Sequence, residues 1–232
     1  MVNSNITLII PVFNEADEVK NFFIDLKKCN FNLINEIIFV DDCSTDNSIN
    51  LLTEKIDEFN RQFPELSFLL INNMKNKGYG FSIKKGVSNS KNETIAIIDL
   101  DRTYKIEDLN NLANMFINEF NLKYDLIAGE RKIDITNTSR LKIIGKAIIN
   151  GIANFCFNEK IIDYNSGLRI FNKNKFIKHS HIMSNRFSLT TSMTISFLNE
   201  NYEIKFHKIK YEERTGNSKL GYKDFFKFLY TI

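Results

Sequence analysis

Two carboxylates spaced two residues apart, directly after an apolar run, are the strongest chemical signal in the chain. Residues 95–98 are apolar and lead into Asp99 and Asp101. Such a run is typical of a strand buried on both faces of a parallel sheet, and ligands of open α/β sheets bind beyond the carboxyl ends of strands. Hard oxygen donors there suit Mg²⁺ or Mn²⁺ carrying a nucleotide diphosphate. The alternative is a solvated loop, because D-x-D also occurs in ordinary surface turns.

Polar residues also follow the first two predicted strands. The first strand leads into P-V-F-N-E, with Pro11, Asn14 and Glu15, where a helix start can offer backbone N–H groups to a ligand. The alternative is an ordinary loop with Asn14 as the helix cap. The second strand leads into V-D-D-C-S-T-D. Its two adjacent acids, Asp41 and Asp42, are more than a helix N-cap requires. An acid at this place can accept a hydrogen bond from a nucleobase N–H.

The third predicted strand leads into N-K-G-Y-G, which contains Lys77 and Gly78. This segment matches neither the P-loop pattern nor the dinucleotide-binding fingerprint. On its own it indicates a flexible turn before a helix.

The elements that must position these residues alternate between strand and helix. Strands are predicted at residues 6–10 (ended by Pro11), 37–40, 68–71, 95–98 and 126–128. Helical spacing of apolar residues separates them, for example at 79–89. This alternation predicts an α/β fold with a mostly parallel central sheet and helices on both faces. After about residue 130 we predict a long helix at 138–156, short strands, a helix at 188–200 and a hairpin-like piece at 203–213.

Composition narrows the function classes. The 232 residues are 43% hydrophobic and 25% charged, with a net charge of +3 that is too small to indicate nucleic-acid binding. Cys29, Cys43 and Cys156 lack metal-ligand spacing and fit free thiols in a reducing compartment. We find no basic region of a secretion signal and no apolar run of the ~18 residues that a membrane span needs. We therefore expect a cytoplasmic protein, either soluble or peripheral at the cytoplasmic face of a membrane.

Taken together and in this order, the four strand-end segments resemble the family 2 glycosyltransferases of the Rossmann-like GT-A fold. Three later pieces, G-E-R at 129–131, D-Y-N-S-G-L-R at 163–169 and R-T-G-N-S-K at 214–219, are similar to the dolichol-phosphate mannose synthase-like branch, which transfers sugars to dolichol or polyprenyl phosphates. The resemblance implies one glycosyltransferase domain over residues 1–232. Its parts would be a nucleotide-sugar-binding half (1–130), an acceptor half (131–219) and an interfacial helix (220–232).

The resemblance also implies roles for individual residues. The UDP- or GDP-sugar donor would be lined by Pro11, Asn14, Glu15, Asp41 or Asp42, Lys77 and Gly78. Asp99 would lie near the ribose and diphosphate, and Asp101 would hold Mg²⁺ or Mn²⁺ together with it. Catalysis would use Asp99, Asp101, Arg131 and Arg214, with inversion at the sugar. The acceptor would be bound by Arg131, Arg140, Ser218 and Lys219.

Two departures from the family pattern bear on the metal and on the acceptor: the first puts metal binding through an extra side chain in doubt, although Thr103 could offer a hydroxyl, and the second concerns the acceptor. Arg102 and Thr103 follow D-x-D where relatives often carry a polar pair near the metal. Residues 188–193 contain no acid where many relatives place a general base for a sugar hydroxyl. A hydroxyl needs such a base, whereas a phosphate monoester is already ionised. Together with the cations of residues 131–146, whose alternative interpretation is a solvated basic helix, this favours a polyprenyl phosphate acceptor.

Other functions stay open at this point. Transfer to a glycan or protein hydroxyl would need another base, for which Asp163 is the candidate. A non-catalytic nucleotide-sugar-binding protein and a nucleotidyltransferase are further alternatives. Residues 220–232 combine Phe225, Phe228 and Leu229 with lysines, a pattern that suits either a helix at a lipid surface or packing on the core. We expect partners to be the donor, the lipid phosphate and a membrane surface or membrane protein, not nucleic acid.

Overall fold

Strands and helices alternate regularly through the first half of the chain. The structure is a computed structural model that describes residues 5–119, 123–131 and 163–211. Its first elements are β1 (Ile6–Val12), α1 (Ala16–Leu26), β2 (Ile34–Asp41), α2 (Ser48–Gln62), β3 (Ser67–Asn72), α3 (Tyr79–Asn89) and β4 (Thr94–Ile97). The later elements are α4 (Ile106–Asn114) with a π-helical turn (Met115–Glu119), β5 (Leu126–Arg131), β6 (Arg169–Asn172), α5 (Lys173–His179), α6 (Leu189–Asn199) and β7 (Ile204–Ile209).

The strands form one seven-stranded sheet in the order β3-β2-β1-β4-β6-β5-β7. β1 to β4 are parallel, with Ile9 opposite Ile38 on one side and Ile97 on the other. β6 runs antiparallel to both β4 and β5, and β7 is parallel to β5. Six strands therefore present their carboxyl ends at the same edge, which is where ligands of such sheets bind.

Apolar side chains cover both faces of the sheet. One core layer packs α1, α2 and α4 on the sheet through residues such as Phe22, Leu52 and Leu109. The other packs α3, α5 and α6 through residues such as Ile83, Phe176 and Met193. The predicted α/β architecture with helices on both faces is confirmed, and the predicted helix at 79–89 matches α3 in both bounds.

Two local predictions are wrong. The first strand does not end at Pro11: Pro11 lies inside β1 opposite Val40. β4 pairs with β1 only as far as Ile9, so the missing N–H of Pro11 breaks no pairing on that side. The piece at 203–213 is not a hairpin over its described residues, because β7 is a single edge strand in parallel register with β5. The predicted helices at 138–156 and 220–232 lie outside the described residues.

No helix in the described ranges is long and apolar enough to cross a bilayer.

Candidate active site

The turn after β4 places both acids of the D-x-D sequence at the carboxyl edge of the sheet. Asp99 and Asp101 are partly exposed there. Asp101 Oδ1 accepts hydrogen bonds from the backbone N–H of Thr103 at 3.2 Å and from its hydroxyl at 2.7 Å. Because Thr103 is buried, these bonds fix the orientation of the Asp101 carboxylate.

Arg102, between these groups, turns toward α1. It has a left-handed backbone with φ 61°. Its Nε donates to Asp25 Oδ2 at 2.8 Å, and its Nη1 lies 3.6 Å from Glu18 Oε2. The residue that departs from the family pattern therefore has its charge balanced by carboxylates of α1.

Gly167, to which the sequence analysis gave no role, forms the surface on which Asp99 rests. A Cβ at this position would lie 2.6 Å from Asp99 Oδ2. The Gly167 N–H donates to the hydroxyl of the buried Tyr104 at 2.7 Å. The glycine within the 163–169 segment was visible in the sequence, but the contact with Asp99 depends on β6 lying beside β4.

Tyr79 is a second residue that the sequence analysis missed. Burial, and then the nearby Asp99 carboxylate, raise the pKa of Tyr79 well above its ordinary value. Its ring stacks on Phe187 with centroids 5.9 Å apart. Tyr79 therefore links the D-x-D turn to the segment that precedes α6.

Asn14 and Glu15 join the loop after β1 to the loop after β2. Asn14 has φ 52°, its Oδ1 accepts from the Thr45 N–H at 2.7 Å, and its N–H donates to Ser44 Oγ at 2.9 Å. The Glu15 N–H donates to Ser48 Oγ at 2.9 Å. Glu15, not Asn14, occupies the N-cap position of α1, so the alternative that Asn14 caps this helix is wrong.

Asp42 braces the loop that precedes α3. Its Oδ1 accepts from Asn73 Nδ2 and from the Lys77 N–H, both at 2.9 Å. Its Oδ2 accepts from the Gly78 N–H at 2.7 Å. The structure thus brings Asp42, Lys77 and Gly78 together, as a loop-bracing cluster in which both Asp42 oxygens are used.

Asp41 differs from its neighbour in having an acceptor to spare. Its Oδ2 accepts from the Ser44 N–H at 2.9 Å. Its Oδ1 is buried and meets no hydrogen-bond donor among the described residues. A buried carboxylate oxygen without a donor is costly, and a ligand N–H would satisfy it.

Gly78 also lets the loop before α3 pack on the segment before α6. Its φ of 101° is one that side-chain-bearing residues rarely adopt, and a Cβ would lie 2.7 Å from both Arg186 Cδ and Asn185 O. Lys77 places its ammonium 4.2 Å from the centroid of the Phe81 ring. The glycine is therefore required by backbone conformation and close packing, whatever ligand binds here.

Arg131, at the end of β5, is held by the fully buried Asp163. Arg131 Nε donates to Oδ2 at 2.6 Å and Nη2 to Oδ1 at 2.8 Å, and the guanidinium lies 5.1 Å from the Tyr211 ring centroid. Burial opposes its charge, but the neighbouring Tyr104 and Asp163 raise the pKa of Arg131 well above its ordinary value. Arg131 is therefore charged at any working pH and tied to the segment that carries Gly167.

Arg169 anchors the same segment from inside the protein. It is fully buried, and its guanidinium donates to the carbonyls of Tyr164 and Ser166 at 2.6 and 2.7 Å and to Thr194 Oγ1 at 2.7 Å. Burial lowers its pKa to about 10. Since one of these partners belongs to α6, Arg169 fixes the 163–168 segment against that helix.

The start of α6 lies against this segment and carries hydroxyl side chains. Thr190 Oγ1 donates to Asn165 Oδ1 at 2.6 Å. The first turn of α6 contains no acidic residue. The predicted acceptor and catalytic residues Arg140, Arg214, Ser218 and Lys219 lie outside the described residues.

The sequence model of one known protein family matches most of the chain. The model of glycosyl transferase family 2 aligns with residues 7–190, which include every strand-end segment described above. The chain belongs to glycosyl transferase family 2.

Two curated proteins that are similar to this chain are both named as dolichyl-phosphate glucosyltransferases. The chain is 25% identical over 120 residues to a dolichyl-phosphate beta-glucosyltransferase of Dictyostelium discoideum, covering 49% of this chain and 36% of the relative. It is 29% identical over 113 residues to a protein of the same name from Trichomonas vaginalis, covering 46% of this chain and 32% of the relative. The matched stretch thus spans about a third of each relative's length.

Superposition on solved structures confirms the GT-A fold. Glucosyl-3-phosphoglycerate synthase of Mycobacterium tuberculosis, crystallised with Mg²⁺ and UDP, superposes with TM-score 0.74 at 10% identity, covering 99% of this chain and 78% of that one. A mannosyltransferase of Pyrobaculum calidifontis, in complex with GDP-Man and Mn²⁺, superposes with TM-score 0.58 at 13% identity, covering 88% and 55%.

The residues of this family-2 chain fit a divalent cation. Asp99 and Asp101 are partly exposed residues with hard carboxylate oxygens, although Asp99 Oδ1 is itself buried, and Thr103 fixes the carboxylate of Asp101. Two protein carboxylates plus substrate phosphates are the usual arrangement for Mg²⁺. The described residues contain no separate cluster of three His, Cys, Asp or Glu that could hold a metal alone, so the phosphates would have to complete the shell.

Proposed function

We propose that this protein is a metal-dependent, inverting glycosyltransferase that moves a sugar from a nucleotide-sugar to a polyprenyl phosphate. Its membership of glycosyl transferase family 2 supports the reaction class. The names of its curated relatives support the lipid phosphate and make glucose the first sugar to test. The whole of residues 1–232 would form one transferase domain, with the nucleotide-sugar bound by its first half.

The donor would lie across the carboxyl edge, over the loops after β1, β2 and β4. Asp41 would accept a base N–H through the oxygen that lacks a donor. Because Asp41 is fully buried, this contact needs a small movement of the neighbouring loop, whose Ser44 N–H donates to Asp41 Oδ2. Asn14 and Asp42 would shape the pocket by holding the loops together rather than by contacting the base.

Asp99 and Asp101 would hold Mg²⁺ or Mn²⁺ against the donor diphosphate. The cation would offset the charge that develops on the leaving nucleoside diphosphate. Thr103 keeps the Asp101 carboxylate oriented, and Gly167 leaves room for that of Asp99. This orientation is set before the substrate arrives, which avoids reorganisation during the reaction.

The hydrogen bonds from Arg131 to Asp163 are the observation that favours a phosphate acceptor over a sugar hydroxyl. A sugar hydroxyl needs a base, and Asp163 is the acid that the sequence offers for that role. Both of its oxygens already accept from the Arg131 guanidinium, and Asp163 is fully buried, so it is poorly placed to take a proton from a sugar hydroxyl. A phosphate monoester needs no base, and the start of α6 offers it hydroxyls instead of a repelling carboxylate.

Arg131 would also contact the acceptor. Its guanidinium has five N–H donors on three nitrogens, and Asp163 engages two of the nitrogens. The remaining nitrogen would face the acceptor phosphate. Arg140, Arg214, Ser218 and Lys219 would add contacts to the acceptor or the diphosphate, as the family resemblance implies.

Thermal unfolding in the presence of nucleotides tests the donor half of this proposal. Bound ligand stabilises by mass action, by about 2.7 kcal/mol at 100 times its Kd. UDP-glucose, UDP or a GDP-sugar should raise the melting temperature with Mn²⁺ present and much less with EDTA. Asp101→Asn should abolish the metal-dependent part, whereas Asp57→Asn, on the outer face of α2, should not.

Transfer of labelled sugar to polyprenyl phosphate tests the acceptor half. Stabilisation by nucleotide without transfer to any acceptor would favour a binding protein instead. Efficient transfer to a sugar hydroxyl that Asp163→Asn alone abolishes would favour the hydroxyl-acceptor alternative.

A further inference from the structure

Acidic residues are unevenly distributed in this chain. It contains 28 Asp and Glu residues, yet none lies in residues 66–92 or 164–199. These two segments contain β3 and α3, and then β6, α5 and α6. They carry lysines and arginines throughout, although the net charge of the whole chain is only +3.

The two segments pack into one surface. The Phe81 N–H of α3 donates to the carbonyl of Asn185 at 3.0 Å. Lys84 Nζ donates to the carbonyl of Met183 at 2.6 Å. Between α3 and residues 180–185 lies an open groove of about 470 Å³. We call the surface formed by α3, the loop that precedes it (residues 73–78) and residues 180–188 the α3 face.

The cations of the α3 face have neutral partners. Lys84 is bound to a carbonyl and to Asn185 Oδ1, and Lys85 to Asn73 Oδ1 at 2.9 Å. Arg186 Nη1 lies 3.5 Å from an amide oxygen of the 73–78 loop. None of these cations forms an ion pair with a carboxylate of the described part of the chain. The face therefore keeps its positive charge, unlike α1 and α2, where Asp25 and Glu58 pair with lysines.

The α3 face also exposes large apolar side chains. Ile182 is 63% exposed, Phe187 38% and Met74 98%. A nucleic acid would use the cations but gain little from an exposed Ile or Met, since backbone recognition is by charge and hydrogen bonds. A bilayer with anionic headgroups uses both, because it attracts cations at its surface and takes up apolar side chains below it.

The α3 face adjoins the candidate active site. Phe187 stacks on Tyr79 of α3, and the Gly78 N–H of the preceding loop donates to Asp42 at the carboxyl edge of the sheet at 2.7 Å. We propose that the α3 face docks on a membrane surface rich in anionic lipids, with Ile182 and Phe187 inserted among the headgroups. This inference rests on the proposed function in one respect: a polyprenyl phosphate presents its head at such a surface, so docking there would bring the acceptor to the D-x-D turn.

Vesicle co-sedimentation tests this surface with matched variants. The probes are vesicles of phosphatidylcholine with or without phosphatidylglycerol. Ile182→Asn should lower partitioning to anionic vesicles roughly tenfold, from the lost burial of one aliphatic side chain. Arg186→Gln should lower it roughly fivefold, and both the wild type and the variants should bind more weakly in high salt.

The controls lie on the opposite helical layer. Ile24→Asn changes an isoleucine of α1 that is 62% exposed, and Arg61→Gln changes an exposed arginine of α2. Neither should alter partitioning. All four variants should melt within a few degrees of the wild type, because the side chains they remove are exposed.

The outcomes separate this proposal from the proposed function. With a short-chain polyprenyl phosphate in detergent, Ile182→Asn should transfer sugar like the wild type while losing vesicle-dependent activity. Vesicle binding without any transfer would leave the α3 face supported and overturn the enzyme proposal. Partitioning that is insensitive to Ile182→Asn, equal losses in the Ile24→Asn control, or binding to RNA with no binding to anionic vesicles would overturn the α3 face.

Discussion

Replacing Gly167 with alanine is expected to lower sugar transfer far more than it lowers stability. The added Cβ would lie 2.6 Å from Asp99 Oδ2, whereas real Cβ atoms essentially never approach closer than 3.0 Å. The carboxylate must therefore move by about half an ångström or rotate, and a rotation of ~30° off a rotamer costs only about 0.5–1.5 kcal/mol. A displacement of ~1 Å in a reacting constellation, in contrast, costs on the order of 100-fold in rate, so half of it should cost roughly tenfold.

The matched control is Gly86→Ala, which creates an equally close contact elsewhere. Its Cβ would lie 2.6 Å from Ile9 Cγ2, in the core between α3 and β1. Overpacking of this kind costs about 1–3 kcal/mol, but it leaves Asp99 untouched. Urea denaturation should thus rank Gly86→Ala as the less stable variant, and initial rates per folded molecule should rank Gly167→Ala as the less active one.

A Mn²⁺ titration of the initial rate locates the defect. Gly167→Ala should need more Mn²⁺ for half-maximal activity, and Gly86→Ala should need the same as the wild type. If Gly167→Ala turns over within threefold of the wild type at every Mn²⁺ concentration, the position of the Asp99 carboxylate does not limit the reaction and the reasoning is refuted.

Three further outcomes are expected. Asp42→Ala leaves the backbone N–H groups of Lys77 and Gly78 without their acceptor and removes one of two acceptors of the Asn73 side-chain amide, so urea denaturation should show a loss of about 2–3 kcal/mol; an unchanged midpoint would contradict the bracing role. Arg131→Lys keeps a cation beside the buried Asp163, which would cost about 3–5 kcal/mol if left unpaired, but it loses the guanidinium nitrogen that would face the acceptor. That charged hydrogen bond is worth about 1.5–3 kcal/mol, so the KM for polyprenyl phosphate should rise about 10- to 150-fold at constant donor KM, and equal changes in both would assign Arg131 to the donor site. The rate at saturating donor should rise with pH through about 6, where a phosphate monoester takes its second charge, and stay flat above it; a rate that is independent of pH there would argue against a phosphate nucleophile.

Much of the fold could be predicted because its signals are local. The apolar run at 95–98 and the helical spacing at 79–89 specify a strand and a helix without reference to the rest of the chain. The parallel pairing of β7 could not be predicted, because the sequence I-K-F-H-K-I does not indicate which strand it pairs with. Its pairing with β5 depends on contacts made at long range, and local patterning led instead to a hairpin.

Some features of the candidate site could likewise be predicted from local sequence, and others depend on long-range contacts. Asp99, Asp101, Asp41 and Asp42 could be found because each lies at the end of a strand or within a few residues beyond it, and parallel strands bring such positions to one edge. The different hydrogen-bonding roles of Asp41 and Asp42 could not be predicted from the sequence. They depend on which backbone N–H groups the 73–78 loop turns toward each carboxylate. Gly167 was likewise beyond sequence reasoning, since its contact with Asp99 exists only once β6 lies beside β4.

The most direct test of the account compares two acceptors that differ only in the phosphate. Wild-type protein, labelled UDP-glucose and Mn²⁺ are incubated with polyprenyl phosphate or with the matching polyprenol, alongside Asp101→Asn, which should melt like the wild type without ligand. The account predicts labelled lipid from the phosphate alone, at a rate that Asp101→Asn reduces to background. Label of comparable yield on the alcohol, or undiminished transfer by Asp101→Asn, would contradict it.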